Sequence, residues 1–118
     1  NRPNEENGAR ILNVLRQAVN DSLPFIVGEF GWQHGNDGMG NPRAIPFEVL
    51  LSEANRLGIG YIAWSWTGNS GGVEYLDLTN TQSGMFTDWG SDIVEGPSPD
   101  ILGIRGTAVP ASVFLSGQ

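Results

Sequence analysis

The sequence contains no cysteine. That excludes a disulfide framework and any thiolate metal site, and it leaves the compartment open. It contains one histidine, His34. A metal centre has few nitrogen ligands to draw on, so neither metal nor cofactor is expected. Positive charge is scarce: six Lys plus Arg stand against thirteen Asp plus Glu, for a net charge of −7. Nucleic-acid binding needs basic patches to neutralise phosphate, so a nucleic-acid partner is set aside. No apolar run approaches the ~20 residues of a membrane helix, and no membrane partner is expected. The Gly-rich run 68–72, GNSGG, lacks the Lys-Ser/Thr ending of a P-loop. No signal peptide is visible, but the chain opens on NRPNEENGAR rather than on Met. That opening reads as the interior of a longer chain.

What is present is a globular composition. The chain has 118 residues, 39% of them hydrophobic and 16% charged, which suits one domain with a core rather than a disordered chain. Ile11, Leu12, Leu15 and Val19 recur at spacings of three and four. That predicts an amphipathic helix over 5–19, with Glu5 and Glu6 in its first turn. Residues 20–24, NDSLP, end it. Residues 25–30, FIVGEF, read as a buried strand. Residues 33–45 hold three Gly, two Asn and one Pro and read as loop. Phe47, Leu50, Leu51, Ala54 and Leu57 form the stripe of a second helix over 46–57. Pro46 suits its first turn, and Gly58 the position just past its end. Residues 58–66, GIGYIAWSW, read as a second strand. A Gly-rich loop follows, then a short helix over 88–95 with Asp88 as N-cap, then an irregular tail. Alternating helices and nearly continuous apolar strands predict parallel strands covered by helices. Two strands alone make a poor parallel sheet, so most of the sheet is expected upstream.

Both strands run into long loops, whereas the turns that precede them are short. One face of the domain is therefore elaborated, as at the C-terminal face of a (β/α)₈ barrel. On that face stand a carboxylate, Glu29, and two tryptophans, Trp64 and Trp66. Carboxylates can attack an anomeric carbon, and flat aromatic rings can stack on the apolar faces of sugars. Glu29 reads equally as a strand-end charge. Trp64 and Trp66 share a strand face by the two-residue period, where on spacing alone at least one reads better as core. His34 reads as a solvated loop residue. Glu74 and Asp77 lie in the second long loop, either meeting a ligand or anchoring the loop.

Residues 23–31, LPFIVGEFG, and 57–80, LGIGYIAWSWTGNSGGVEYLDLTN, resemble the last third of a glycoside hydrolase family 5 catalytic module. The likeness is greatest to bacterial endo-β-1,4-mannanases and extends from about Leu23 to Phe114. The ordered set GEFG, AWSWTGN, EYLDLTN, TDWG and PASVF carries it. The resemblance implies a (β/α)₈ TIM barrel, of which residues 1–118 are a C-terminal portion holding strands seven and eight with flanking helices. It implies a secreted bacterial enzyme acting on β-mannan by double displacement, with Glu29 as nucleophile. It also implies that Trp64 stacks on a sugar beside the scissile bond, with Trp66, Trp32 and His34 as further substrate contacts. The family's acid/base glutamate follows an Asn at a strand end. Asn4-Glu5 lies at a helix start and does not qualify. The missing carboxylate and the N-terminal part of the same domain are therefore expected partners, and this chain alone is expected to be inactive. Trp32 and Thr67 depart from the family pattern, which often has His and Lys there. An endo-β-1,4-glucanase of the same family is one alternative. A non-catalytic carbohydrate-binding domain, complete in itself and melting cooperatively, is another.

Overall fold

The computed structural model describes residues 2–108. The PASVF motif at 110–114 lies outside them. Helix α1 (Arg2–Asn20) carries Glu5 in its first turn. It buries Leu15 and Ala18; Val19, expected on its apolar stripe, is instead 44% exposed. It ends where Ser22 turns to φ 53° and the Leu23 N–H donates to the Ala18 carbonyl at 2.9 Å. Helix α2 (Phe47–Leu57) buries Phe47, Leu50, Leu51 and Ala54. Gly58 closes it with φ 68°, a left-handed conformation in which a Cβ is strained.

Strand β1 (Ile26–Phe30) pairs in parallel with β4 (Gly60–Ala63), and α2 makes the crossover between them. Val27 and Tyr61, register partners, pack against the helices. The opposite face is bare, so β1 is not the buried strand expected among the described residues: Ile26 is 58% exposed and Ile62 54%, with no further strand beside them. A groove of about 410 Å³ runs between β1 and the Ile11–Val14–Leu15 side of α1. The main core joins Phe30, Phe47, Leu51, Leu78, Trp89 and Ile93. A smaller one joins Leu15, Ala54 and Ile59. The two helices are also tied by charge. Glu53, buried on α2, accepts from Arg16 Nε of α1 at 2.7 Å and from Arg56 Nη2 at 2.5 Å. Hydrogen bonds from Arg56, then from Arg16, hold its carboxyl down at a pKa of about 2.

Four expectations need correction. Residues 33–45 are not all loop: β2 (Gln33–Asn36) and β3 (Pro42–Ala44) form a small antiparallel hairpin. Asp37 shapes its turn, accepting from the Met39 and Asn41 N–H groups at 2.8 and 2.9 Å. The second strand stops at Ala63, so Trp64 and Trp66 lie beyond it and the two-residue period does not govern them. The N-cap of α3 (Asp88–Val94) is Thr87, whose hydroxyl accepts from the Gly90 N–H at 3.0 Å; Asp88 is the first helical residue. The tail is not wholly irregular, since α4 (Ile104–Thr107) forms one helical turn. Among the described residues no helix is long and apolar enough to cross a membrane.

Candidate functional site at the strand ends

Along β1 the pairing runs Val27 to Tyr61 and then Phe30 to Ala63. One strand takes three steps where its partner takes two. This is the count of a β-bulge, and Gly28 and Glu29 occupy it. Val27 and Phe30, either side of the irregularity, both pack into the helix-side core, while Gly28 and Glu29 are exposed. Bulges are common beside active sites. The glutamate thus stands free at the C-terminal end of the strand without any cost of burial.

The next residue joins the two strands. The Trp64 N–H donates to the Phe30 carbonyl at 2.8 Å, continuing the ladder past the end of β4. From the helix side, Trp89 Nε1 donates to the Trp64 carbonyl at 2.9 Å. The Trp64–Ser65 peptide is cis. Residues 65 and 66 are then gripped by the segment 76–79. Ser65 N–H donates to the Leu76 carbonyl, Leu78 N–H to the Ser65 carbonyl, and Thr79 N–H to the Trp66 carbonyl, all within 3.0 Å. The Thr79 hydroxyl adds a second bond to the Trp66 carbonyl at 2.9 Å.

Both tryptophan rings are accessible, Trp64 at 43% and Trp66 at 62%, so neither serves as core in this structure. They differ in setting. The Trp64 indole N–H donates to Asn69 Oδ1 at 2.9 Å. The Trp66 ring stands edge-on to Phe86, centroids 6.2 Å apart. Trp32 is half-buried and structurally engaged: its Nε1 donates to the Tyr75 carbonyl at 2.7 Å, and the two rings meet edge to face. The Tyr75 hydroxyl accepts from the Gly35 N–H at 3.1 Å, fastening the β2–β3 hairpin to the second loop. His34 is exposed on that hairpin. The strand ends therefore bring together Glu29, on β1, and Trp64, the residue just past β4. Trp32 acts as a loop anchor, and His34 stands on the hairpin.

A cleft of about 420 Å³ opens beside this rim, between Trp32, Tyr75, Trp89 and the acids Glu74, Asp77 and Asp92. Glu29 does not line it. Burial first, then the neighbouring charges of Glu48 and Asp88, push the Asp92 carboxyl up. Among the described residues no group of three or more His, Asp or Glu is placed to hold a metal ion. Sequence reasoning overlooked Asn69. It closes the AWSWTGN motif and lies between Trp64 and Asp77 in a Gly-rich loop, but neither signal names its partners without coordinates.

No protein-family model matches the chain. It is 39% identical over 113 residues to a mannan endo-1,4-β-mannosidase of Streptomyces lividans, covering 95% of this chain and 27% of the relative. Its backbone matches a β-mannanase from Thermomonospora fusca with a TM-score of 0.71 and 42% identity, over 91% of this chain and 32% of that one. The mannohexaose complex of the Thermomonospora fusca β-mannanase matches with a TM-score of 0.70 and 39% identity, over 91% and 31%. The chain thus spans about a third or less of the length of the relatives it matches. By sequence and by backbone, the chain is similar to part of the bacterial β-mannanases.

Proposed function

We propose that these residues are the C-terminal part of a single glycoside hydrolase family 5 catalytic domain that cleaves β-1,4-mannosidic bonds internally. In this reading β1 and β4 are strands seven and eight of a (β/α)₈ barrel. The bare face bearing Ile26 and Ile62 looks into the barrel, and the groove beside β1 receives strand six from the N-terminal part of the protein. Glu29 attacks the anomeric carbon. A second carboxyl, roughly 5–5.5 Å away and supplied from outside this chain, protonates the leaving oxygen. The same group then deprotonates the water that releases the sugar with retained configuration. Trp64 offers a ring face to a sugar beside the scissile bond, and exposed Trp66 and His34 are further rim contacts. A polysaccharide too large to enter a cell also makes a secreted enzyme the natural setting.

One observation carries the reading: an unburied glutamate in a bulge at the C-terminal end of a parallel strand, one ladder step from an accessible tryptophan. The test uses the full-length protein with galactomannan and carboxymethylcellulose. Hydrolysis of galactomannan is expected, and activity confined to cellulose sinks the mannan assignment. In the same protein Glu29→Gln should lower kcat at least about a thousandfold, the scale expected when a nucleophile is lost. A loss of less than about tenfold removes Glu29 from that role.

A further inference from the structure

The side chain that orients Trp64 has no place in the chemistry above, yet its partners are all accounted for. Asn69 Oδ1 receives the Trp64 indole N–H at 2.9 Å. The Asn69 amide nitrogen donates to Asp77 Oδ1 at 2.6 Å and to the Ser65 hydroxyl at 3.0 Å. The Asn69 backbone N–H donates to the same Asp77 oxygen at 3.0 Å. Asp77 is in turn fixed from behind, since the Thr87 hydroxyl, the N-cap of α3, donates to its carbonyl at 2.7 Å. Because both donors of the amide have acceptors, only its oxygen is left to face the indole. The carboxylate therefore dictates which end of the Asn69 amide meets Trp64.

We propose that Asn69 is a positioning residue: backed by Asp77, it sets the plane in which Trp64 presents its ring to a sugar. The inference rests on the glycosidase reading of the site. Trp64 is 43% exposed, so packing alone does not hold its ring. Its backbone is held at both its N–H and its carbonyl, but χ1 and χ2 remain free to rotate unless the indole nitrogen is tethered. Asn69 supplies that tether. The Asn69 backbone N–H, joined by its side chain, holds the Asp77 carboxyl below its usual range, which keeps the acceptor ionised.

The experiment compares wild type, Asn69→Ala, Trp64→Phe and the double variant in the full-length protein. Mannohexaose kinetics and the solvent exchange of the Trp64 indole proton by NMR are measured on each. Asn69→Ala should raise KM roughly three- to tenfold, the worth of one hydrogen bond, with kcat changed less, and should speed indole exchange. Trp64→Phe keeps a ring but has no N–H to tether. In that background Asn69→Ala should add almost nothing, since a residue acting only through its partner has no separate effect. Equal KM effects of Asn69→Ala in both backgrounds overturn the proposal. So does an unchanged KM beside fast indole exchange. Wild-type protein inactive on every β-mannan sinks the glycosidase reading first and removes the sugar platform with it. Active wild type with an indifferent Asn69→Ala sinks only the positioning role.

Discussion

At the scale of single residues the chain uses its few polar contacts in two ways. Some side chains hold other side chains, as Asn69 holds Trp64. Glu53 holds helices. It is 6% exposed, whereas its partners Arg16 and Arg56 have side chains 50% and 59% exposed. An ion pair with exposed guanidiniums is screened, but an unpaired buried carboxylate is costly. Its folded pKa of about 2 lies below the unfolded value of 4.5. The contribution to stability is therefore complete above about 4.5 and is lost as pH falls toward about 2. Glu53→Ala should lower the thermal midpoint of the full-length protein by about 5 °C at neutral pH. The difference from wild type should shrink between pH 4.5 and 2. A difference that grows on acidification contradicts the assignment of this charge to the α1–α2 tie.

At the scale of elements, α3 is a bracket as well as a core helix: it buries Trp89 and Ile93. Its N-cap Thr87 reaches the Asp77 carbonyl, and its Trp89 reaches the Trp64 carbonyl. Gly90 lets it approach: a Cβ there would lie 1.9 Å from the Leu78 carbonyl oxygen. Gly90→Ala should displace the helix, lower the midpoint by several degrees and disturb Trp64 without touching it. Near-ultraviolet circular dichroism of the tryptophans reports this, and an unchanged spectrum removes the bracket. This level was partly legible in the sequence. The helices were readable because Ile11, Leu12 and Leu15, and Phe47, Leu50, Leu51 and Ala54, carry a helical period, and Gly58 marked where one stopped; Val19 was misplaced on the buried side, which Ala18 occupies. The β2–β3 hairpin was not, because QHGN and PRA lack branched or aromatic residues and owe their pairing to Asp37. Strand β4 was read too long because Trp64 and Trp66 look like strand residues, while contacts with Trp89 and with 76–79 draw the chain away just after the Trp64 N–H. Glu29 was legible as a candidate. Its bulge was hinted at only by Gly28 inside a strand.

At the scale of the whole molecule, the described chain is extended for its length. Its radius of gyration is 15.7 Å and its extents are 53 × 37 × 26 Å, against about 13 Å for a compact domain of this size. It also leaves the Ile26–Ile62 face bare and the groove beside β1 open. Residues 1–118 expressed alone should bind a hydrophobic dye and melt without a sharp transition, whereas the full-length protein should do neither. A cooperative, dye-free melt of the segment favours the self-contained domain instead. The bulge in β1 has a consequence for length. Val27 and Phe30 face the helices with two residues between them. Excising Gly28 would still leave them on that side with the glutamate opposite. What changes is reach: the extra residue advances the carboxylate along the strand axis by up to about 3.3 Å. The irregularity is thus a spacer more than a swivel, setting how far the attacking group projects toward the substrate rather than which way it points.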